Sequence, residues 1–299
     1  MTKTIAITGA GGFIGRHLTA HLLDEGYKVH ALGRSAASFS EVDRRAKTFE
    51  TSYQDAHLLE ALDGCSDLIH LAGRRLTHDD DPHFVAPFAT ANLTTLDALL
   101  RACKETGVSK VINMSSIGVY SLAMQTPWQE DDHPLPATAY GVGKLSAEQA
   151  ADFWSRMTEI PVVHFRLAQC FGHGERETGI LMKLVAQARA KKTLKVTNGG
   201  TFKLDQVYID DVVKAFSAAL TMNAMGAINI GAGRDFSVME IAETINRAFD
   251  NEGNLVVDGD PSKRDVERYM SIEKAEALLS WRPDYSLEKA LTKMASMNA

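Results

Sequence analysis

Two side chains with complementary acid–base chemistry, Tyr140 and Lys144, stand four residues apart in a segment, 139–157, whose pattern predicts a helix. Residues four apart share one face of a helix. The lysine charge favours the phenolate and would lower the tyrosine pKa from its ordinary value of about 10, which suits proton transfer near neutral pH. An ordinary surface tyrosine and lysine on one helix is the alternative interpretation.

A second signal lies upstream, where the buried strand predicted near 109–114 ends in two serines, Ser115 and Ser116. Ligands of α/β sheets bind at the carboxyl ends of the strands, so a hydroxyl at this place can hydrogen-bond a reacting carbonyl. Adjacent serines at a strand end could also cap a turn. Their presence nevertheless favours the catalytic interpretation of Tyr140 and Lys144.

A glycine cluster near the start of the chain predicts a binding site for a dinucleotide. Gly9, Gly12 and Gly15 stand at three-residue intervals, with Gly11 among them, after an apolar run at 4–8 and before a helical pattern. Glycines permit a tight turn and let backbone N–H groups approach a pyrophosphate, while the helix N-terminus adds partial positive charge. The spacing departs from G-x-G-x-x-G, and a purely structural turn is the alternative.

The elements that would position these groups alternate along the chain. Strands are predicted near 3–8, 27–32, 66–72, 109–114 and 161–167, separated by helices near 12–25, 54–62, 84–106 and 139–158. This alternation predicts an α/β fold with a parallel, doubly wound sheet. Later in the chain, helices are predicted near 178–192, 210–222, 237–249 and 286–297, and short strands near 194–197, 226–230 and 254–258.

These motifs resemble those of the extended short-chain dehydrogenase/reductases, of the NAD-dependent epimerase/dehydratase type that acts on nucleotide sugars. The resemblance covers nearly the whole chain, and the further segments that carry it are 70–73, 166–172, 208–212 and 228–233. It implies a Rossmann cofactor domain over 1–172, to which 206–232 returns. It also implies a smaller C-terminal substrate lobe that is built from 173–205 and 233–299.

The resemblance further implies roles for individual residues. The family's catalytic serine stands three residues before a Val-Tyr pair, so Val119-Tyr120 selects Ser116 to act with Tyr140 and Lys144. The cofactor contacts that it implies are Gly9, Gly11, Gly12, Phe13, Ile14, Gly15, Arg34, Ser35, Leu71, Ala72, Gly73, Asn92, Ser115, Tyr140 and Lys144. The substrate contacts that it implies are Ser116, Gln169, Lys203 and Arg264.

The end of the second strand, Gly33-Arg34-Ser35, bears on the choice of cofactor. An acidic residue there would bind the ribose 2′-hydroxyl of NAD, whereas an arginine with a hydroxyl suits the 2′-phosphate of NADP. No acid is present, so we expect NADP, with NAD as the alternative and a solvated loop arginine as the other interpretation of Arg34. Ser52-Tyr53 stands where the family often carries an aspartate beside the adenine.

The residues after the catalytic serine bear on the reaction. Dehydratases of the family carry an Asp-Glu pair there, whereas this chain has Ile117-Gly118. We therefore predict an NAD(P)-dependent epimerase or ketoreductase that acts by hydride transfer on a carbinol or ketone of a nucleotide sugar, with Tyr140 as acid/base. The alternatives are a reductase or dehydrogenase of a simpler sugar or alcohol, and a non-catalytic NADP-sensing protein.

The sequence contains only some of the basic residues that the resemblance implies for binding the diphosphate of a nucleotide sugar. The family's 4-epimerases place an arginine where this chain has Leu204, which leaves Lys203 as a substitute point charge without the bidentate geometry of a guanidinium. Arg264 falls near the family's second basic position, although a surface basic pair is an equal interpretation of 263–264.

Composition excludes several other classes of function. The 32 basic and 38 acidic residues give a net charge of −6, which argues against a nucleic-acid surface. No apolar run approaches the roughly 20 residues that span a bilayer, and no signal peptide precedes the first strand. We expect a cytoplasmic protein without membrane contact, and a homodimer is a possible assembly.

A metal site is not expected. The three cysteines, Cys65, Cys103 and Cys170, lack the spacing of metal ligands and suit reduced, mostly buried thiols. The segment 78–83 has residue types that bind metals, but a solvated acidic loop is the better interpretation of it.

Overall fold

The structure, a computed structural model, describes residues 2–53, 57–74, 80–81, 83–263 and 265–297. Its strands are β1 (Thr4–Thr8), β2 (Lys28–Gly33), β3 (Lys47–Glu50), β4 (Asp67–His70), β5 (Lys110–Met114), β6 (Val162–Leu167), β7 (Gln169–Phe171), β8 (Leu194–Val196), β9 (Lys203–Leu204), β10 (Gln206–Tyr208), β11 (Gly226–Ile230), β12 (Phe236–Ser237) and β13 (Leu255–Val257). Its helices are α1 (Phe13–Asp24), α2 (His57–Leu62), α3 (Ala86–Thr106), α4 (Ala139–Thr158), α5 (Ile180–Arg189), α6 (Ile209–Thr221), α7 (Val238–Ala248), α8 (Glu273–Leu279) and α9 (Leu287–Ser296).

Seven of the strands form one parallel sheet, in the order β11-β6-β5-β4-β1-β2-β3. Helices cover both of its faces, so alternate residues of a strand enter different cores. In β1, Ile5 and Ile7 pack in the core that includes α1 and α6, whereas Ala6 packs with α2, α3 and α4. The predicted α/β fold with a doubly wound parallel sheet is therefore confirmed.

The remaining strands form three small pairs beside the main sheet. β10 pairs with β7 and β13 with β8 in parallel, while β12 pairs with β9 in antiparallel. Within this part of the structure α7 packs against both α5 and α9. The division of the chain into a cofactor domain and a substrate lobe stays a prediction.

The predicted elements of the main sheet are confirmed, with bounds that differ by at most three residues over the described part of the chain. β3, at the edge of the sheet, was not predicted because Phe49 is its only buried residue, so the segment shows no apolar pattern. The short helix α8 was missed for a similar reason, since only Ala275 and Leu279 of it are buried.

Helix α4 begins where the sequence predicts. The Thr138 hydroxyl accepts a hydrogen bond of 3.1 Å from the Gly141 N–H and so satisfies one of the free donors at the helix start. The buried residues of α4, including Lys144 and Glu148, recur at intervals of three and four and face the sheet and α3. The helix therefore presents one face toward the carboxyl ends of the central strands.

A buried lysine outside this region ties the sheet to a helix. Lys110, at the start of β5, donates from Nζ to the carbonyls of Ala219 at 2.9 Å and Met222 at 2.6 Å, at the end of α6. The last carbonyls of a helix lack partners within it, and a cation there also complements the helix dipole. The contact is structural and lies at the amino end of β5.

Within the described residues, no helix combines the length and the apolar composition that crossing a bilayer requires.

Candidate active site

Three adjacent strands bring the predicted site residues to one edge of the sheet. β1, β4 and β5 are neighbours, and their carboxyl ends lead into the glycine turn at 9–12, the segment 71–73 and the pair Ser115-Ser116. Loops that follow neighbouring parallel strands meet above the sheet, which is where ligands of α/β folds bind. The fold thus gathers these segments, which are far apart in the sequence.

The glycine turn is shaped so that only glycine fits at several positions. Gly9 has φ +68°, and a Cβ on it would stand 2.9 Å from the backbone nitrogen of Ala72. A Cβ on Gly15 would overlap the carbonyl oxygen of Gly9, and one on Gly11 would overlap the carbonyl oxygen of Ser38. The turn leads directly into α1, whose first N–H groups have no partner within the helix. This geometry fits a cradle for a pyrophosphate.

Buried side chains hold the turn in place. The Tyr53 hydroxyl accepts a hydrogen bond from the Gly9 N–H at 3.3 Å and donates to the carbonyl of Leu32 at 3.2 Å. Burial raises the pKa of Tyr53, so the hydroxyl keeps its proton. Tyr53 stands where the family often carries an aspartate beside the adenine. In this chain its side chain supports the glycine turn.

A second support joins the ends of β1 and β4. The Thr8 hydroxyl lies 2.8 Å from Nδ1 of His70 and accepts from the Ala72 N–H at 3.2 Å. Burial, with the nearby charge of Lys144, lowers the pKa of His70 to about 3, so the imidazole is neutral. The pair therefore fixes the path of the segment 71–73 without adding a charge to the site.

Two of the three predicted catalytic residues, Ser116 and Tyr140, border one glycine. An ideal Cβ on Gly118 would stand 3.4 Å from Ser116 Oγ and 3.6 Å from Cδ1 of Tyr140, so both side chains border it. Lys144 is buried, with Nζ donating to the Met114 carbonyl at 2.8 Å and lying 5.9 Å from the centre of the Tyr140 ring. Ser116 and Tyr140 thus meet at Gly118 and Lys144 lies beside the Tyr140 ring; the space that these three side chains border is here called the cleft.

The Ser116 hydroxyl is oriented by its own loop. Its oxygen accepts a hydrogen bond of 3.0 Å from the N–H of Gly118, at the start of the short 3-10 helix Ile117–Val119. Because the oxygen is the acceptor in this bond, the hydroxyl proton stays available for an acceptor in the cleft. A carbonyl or carbinol oxygen of a bound molecule is such an acceptor.

Asn92 offers a further donor to the same cleft. Its Oδ1 accepts from the Arg74 N–H at 3.2 Å, whereas its buried Nδ2 has no protein partner in the described part of the chain. A Cβ on Gly73 would stand 3.2 Å from Asn92 Oδ1 and 3.4 Å from Lys144 Nζ. A buried amide without a partner is costly, so a bound group that accepts from it fits this position.

The residues after β2 close over the glycine turn. A Cβ on Gly33 would overlap Oγ of Ser38 and stand 2.9 Å from the ring of Phe39. A side chain at position 33 would therefore require the side chains of Ser38 and Phe39 to move. Arg34 is exposed and directly follows Gly33, the last residue of β2.

The four residues with predicted substrate contacts lie in different settings. Ser116 is in the cleft, and Gln169, at the start of β7, accepts at Oε1 from Gln206 Nε2 at 2.9 Å. Lys203 Nζ lies 3.4 Å from Asp235 and 3.8 Å from Glu267, so its charge is already balanced. Arg264, together with residues 78, 79 and 82 of the acidic loop, lies outside the described residues.

Several polar residues near the site were not predicted. The Ser115 hydroxyl donates to Glu148, which is paired with Arg166 at 2.8 Å. Arg166 itself could have indicated this ion pair. It is a charged residue inside the buried strand β6, and a buried charge needs a partner. Another signal was the four-residue step from Lys144 to Glu148, which places both on one helix face.

No group of three metal-ligating side chains occurs among the residues that the structure describes.

Known proteins share both the sequence pattern and the fold. The UDP-glucose 4-epimerase of Bacillus subtilis is 30% identical over 282 residues, which cover 83% of each chain. The solved structure of UDP-N-acetylglucosamine 4-epimerase from Bacillus cereus has a TM-score of 0.87 at 28% identity, covering 99% of this chain and 96% of that one. UDP-glucuronic acid 4-epimerase from Bacillus cereus, solved with UDP-glucuronic acid and NAD, has a TM-score of 0.83 at 26% identity and 98% coverage of both chains.

The model of one protein family matches residues 5–231, from the first strand of the sheet to the end of β11. This span includes the glycine turn, the serine pair and the tyrosine–lysine helix. The chain therefore belongs to the NAD-dependent epimerase/dehydratase family.

Proposed function

We propose that this protein is an NADP-dependent 4-epimerase or ketoreductase of a nucleotide sugar. The observation that carries the proposal is that Ser116 and Tyr140 meet at Gly118, while Lys144 lies beside the Tyr140 ring and borders Gly73. The similar 4-epimerases named above act on UDP-sugars, which supports a nucleotide sugar as the substrate class. The same side chains serve epimerisation through a transient ketone and net reduction of a ketone.

Each of the three side chains has a distinct task. Tyr140 takes the proton from the carbinol oxygen during oxidation and returns it during reduction. The Ser116 hydroxyl donates a hydrogen bond to the same oxygen and holds it within reach of Tyr140. The ammonium of Lys144, 5.9 Å from the centre of the Tyr140 ring, places a positive charge beside the phenol.

The cradle suits a nicotinamide dinucleotide. When it is bound, the nicotinamide ring supplies the acceptor or donor of a hydride for the carbinol carbon. The residues that would hold the dinucleotide are the glycine turn at its pyrophosphate, Arg34 and Ser35 at the adenosine ribose, and Asn92 with Lys144 further along the cleft. The absence of an acid from Gly33-Arg34-Ser35, together with the exposed Arg34, supports NADP rather than NAD.

We expect wild-type protein to bind NADPH more tightly than NADH, and Arg34→Asp to reverse that order. A hydrogen bond between charged groups contributes about 1.5–3 kcal/mol, which corresponds to roughly 10- to 150-fold in Kd. Calorimetric titration of both nucleotides measures the two affinities. Arg44→Asp, a charge reversal in the same loop, is the control and is expected to preserve the order. Equal affinities in the wild type would contradict the prediction.

Elimination of water is not part of the proposed reaction. Dehydration needs a positioned acid and base besides the tyrosine, and Ile117-Gly118 provides neither. The carboxylate of Glu148 faces the sheet in a pair with Arg166 and does not serve as the missing base. The product is therefore expected to keep its 6-hydroxyl.

The test of the function is incubation with a panel of UDP- and dTDP-sugars, with analysis of the sugar at C4. For an epimerase, a substrate tritiated at C4 inverts and keeps its label, because the hydrogen that leaves C4 returns to the same carbon. For a ketoreductase, NADPH is consumed in a one-to-one ratio with a 4-keto sugar. A 4-keto-6-deoxy product from an unmodified nucleotide sugar would overturn the proposal.

A second substrate class has one observation in its favour. Leu204 is buried where the resemblance implies an arginine, and the ammonium of Lys203 is paired with Asp235 and Glu267. A diphosphate therefore meets less free positive charge in this region than in the family's 4-epimerases. Activity on free sugars or simple ketones, with none on any nucleotide sugar, would select a reductase of a simpler substrate.

Gly141 allows α4 to approach the loop that carries Ser116. A Cβ on it would overlap the carbonyl oxygen of Gly118 and stand 3.0 Å from Cβ of Pro136. In an open helix Gly→Ala would stabilise by about 1 kcal/mol. Here we expect Gly141→Ala to lower both Tm and kcat, the latter about tenfold or more, because Tyr140 moves relative to Ser116. Thermal unfolding and steady-state kinetics measure these effects, and unchanged kcat with higher Tm would refute the close-packing argument.

The homodimer and the cytoplasmic location stay predictions. Sedimentation of the purified chain measures the first, and fractionation of cells that express it measures the second.

A further inference from the structure

The loop that carries Ser116 is anchored at both of its ends. Ser115 lies directly before it and Tyr120 at its end, and both are almost fully buried. Between them the 3-10 turn is closed by hydrogen bonds from Val119 N to the Ser116 carbonyl at 3.2 Å and from Tyr120 N to the Ile117 carbonyl at 3.0 Å. A displacement of either end is therefore passed on to the Ser116 hydroxyl.

The first anchor is a buried ion pair. Ser115 Oγ donates to Glu148 Oε1, and Arg166 donates to the same carboxylate from Nε at 3.2 Å and from Nη2 at 2.8 Å. Glu148 lies on α4, four residues after Lys144, and Arg166 lies on β6. The start of the loop is thus fixed to the helix that carries Tyr140 and Lys144.

The second anchor is the hydroxyl of Tyr120. It accepts from Arg166 Nη1 at 2.9 Å and donates to Asn229 Oδ1 at 2.9 Å. Burial raises the pKa of Tyr120 to about 12, so the phenol stays a donor at every working pH. Its ring stacks on that of Trp128, with the centroids 5.6 Å apart. The end of the loop is thus fixed to β6 and β11.

Asn229, the acceptor of the Tyr120 hydroxyl, also bonds to two other segments of the chain. It donates from Nδ2 to the carbonyls of Trp128 at 3.1 Å and Ser271 at 3.2 Å, and its N–H donates to Glu130 Oε1 at 2.8 Å. Segments from the middle and the end of the chain therefore converge on the same amide.

We propose that Tyr120 is a positioning residue, which holds the Ser116 hydroxyl in place for the reaction through its hydrogen bonds with Arg166 and Asn229. The inference rests on the proposed function of Ser116. It assigns to the phenol a role in turnover that is separate from its contribution to packing, because Phe at this position would keep the stack on Trp128 and lose only the anchor.

The test is a double-mutant cycle with Tyr120→Phe and Ser116→Ala. If Tyr120 acts through Ser116, Tyr120→Phe lowers kcat about tenfold in the Ser116 background and less than about twofold in the Ser116→Ala background, since coupled residues are not additive. The KM and the pH profile of kcat stay the same, because the phenol does not titrate in the working range. Equal losses in both backgrounds would overturn the inference.

Stability is measured in parallel so that folding and positioning are separated. Ser155→Ala is the control, and it removes a buried hydroxyl near the end of α4, far from the Ser116 loop. This hydroxyl donates to the Ile160 carbonyl at 2.7 Å. The variant is expected to lower Tm and to leave kcat unchanged. If Tyr120→Phe does not fold, Ser115→Ala replaces it in the cycle, with kcat measured at saturating cofactor, and is expected to show the same dependence on Ser116.

Different results would refute the role of Tyr120 and the proposed function. An active wild type in which the losses are additive refutes the role of Tyr120 and leaves the proposed function standing. A wild type without activity on the sugar panel refutes the proposed function, and the positioning role falls with it.

Discussion

Replacement of Tyr140 by phenylalanine is expected to lower kcat by roughly 10²-fold or more, the size of effect that the loss of a general acid–base group produces. The ring keeps its edge contact with Phe88 at 6.5 Å, and the hydroxyl alone is lost. Cofactor binding is therefore expected to persist. Steady-state kinetics on the accepted sugar, with a nucleotide titration by fluorescence, separates the two effects.

The matched control is Tyr285→Phe. Its hydroxyl also has a lysine beside it, since Lys293 Nζ donates to it at 3.1 Å, but it lies in the C-terminal region between α8 and α9. The same chemical change there is expected to leave kcat unaltered. Near-normal turnover of Tyr140→Phe would remove the tyrosine from the proposed chemistry.

Lys144→Ala is expected to impair both turnover and cofactor affinity. The substitution removes a buried ammonium that donates to the Met114 carbonyl and lies 3.4 Å from the place that a Cβ on Gly73 would take. The substitution also removes the positive charge beside the Tyr140 ring, and we expect kcat to fall by about 10²-fold or more. In the resembled family the lysine also holds the nicotinamide ribose, so the Kd for the cofactor is expected to rise as well.

The chain offers a second buried lysine as the control for this change. Lys110 donates to carbonyls at the end of α6, so Lys110→Ala also removes a buried charge and its backbone contacts. It is expected to lower Tm while kcat and cofactor Kd per folded molecule stay normal. If both variants lost activity in proportion to their stability, Lys144 would be a structural residue only.

Local patterns in the sequence were sufficient to predict most of the main sheet and the face of α4 that carries Tyr140 and Lys144. Strand–helix alternation and a four-residue step depend on near neighbours in the chain, so they can be predicted without knowledge of tertiary contacts. The glycine turn belongs to the same class, because its shape depends on backbone conformation at a strand–helix junction.

Features that depend on distant contacts were not predicted. The approach of Ser38 to Gly11 and Gly33 follows from the path of a loop, which no periodicity encodes. The link from Tyr120 to Asn229 joins residues that are far apart in sequence and adjacent only after the sheet forms. Tyr53 stands where the family often carries an aspartate beside the adenine, and its bond to Gly9 joins residues 44 apart in sequence, with Tyr53 in a left-handed backbone conformation at φ +66°.

Strand β11 completes the main sheet against β6, although the chain forms α5, α6 and four short strands, β7 to β10, between them. During synthesis β6 therefore leaves the ribosome well before its partner and remains an open edge, with apolar residues such as Val163 and Phe165 and unpaired backbone groups. Open edges of this kind are templates for aggregation, and pairing over such a sequence distance is slow. The nascent chain thus carries its greatest risk of misassembly late in translation, after the catalytic residues have already been made.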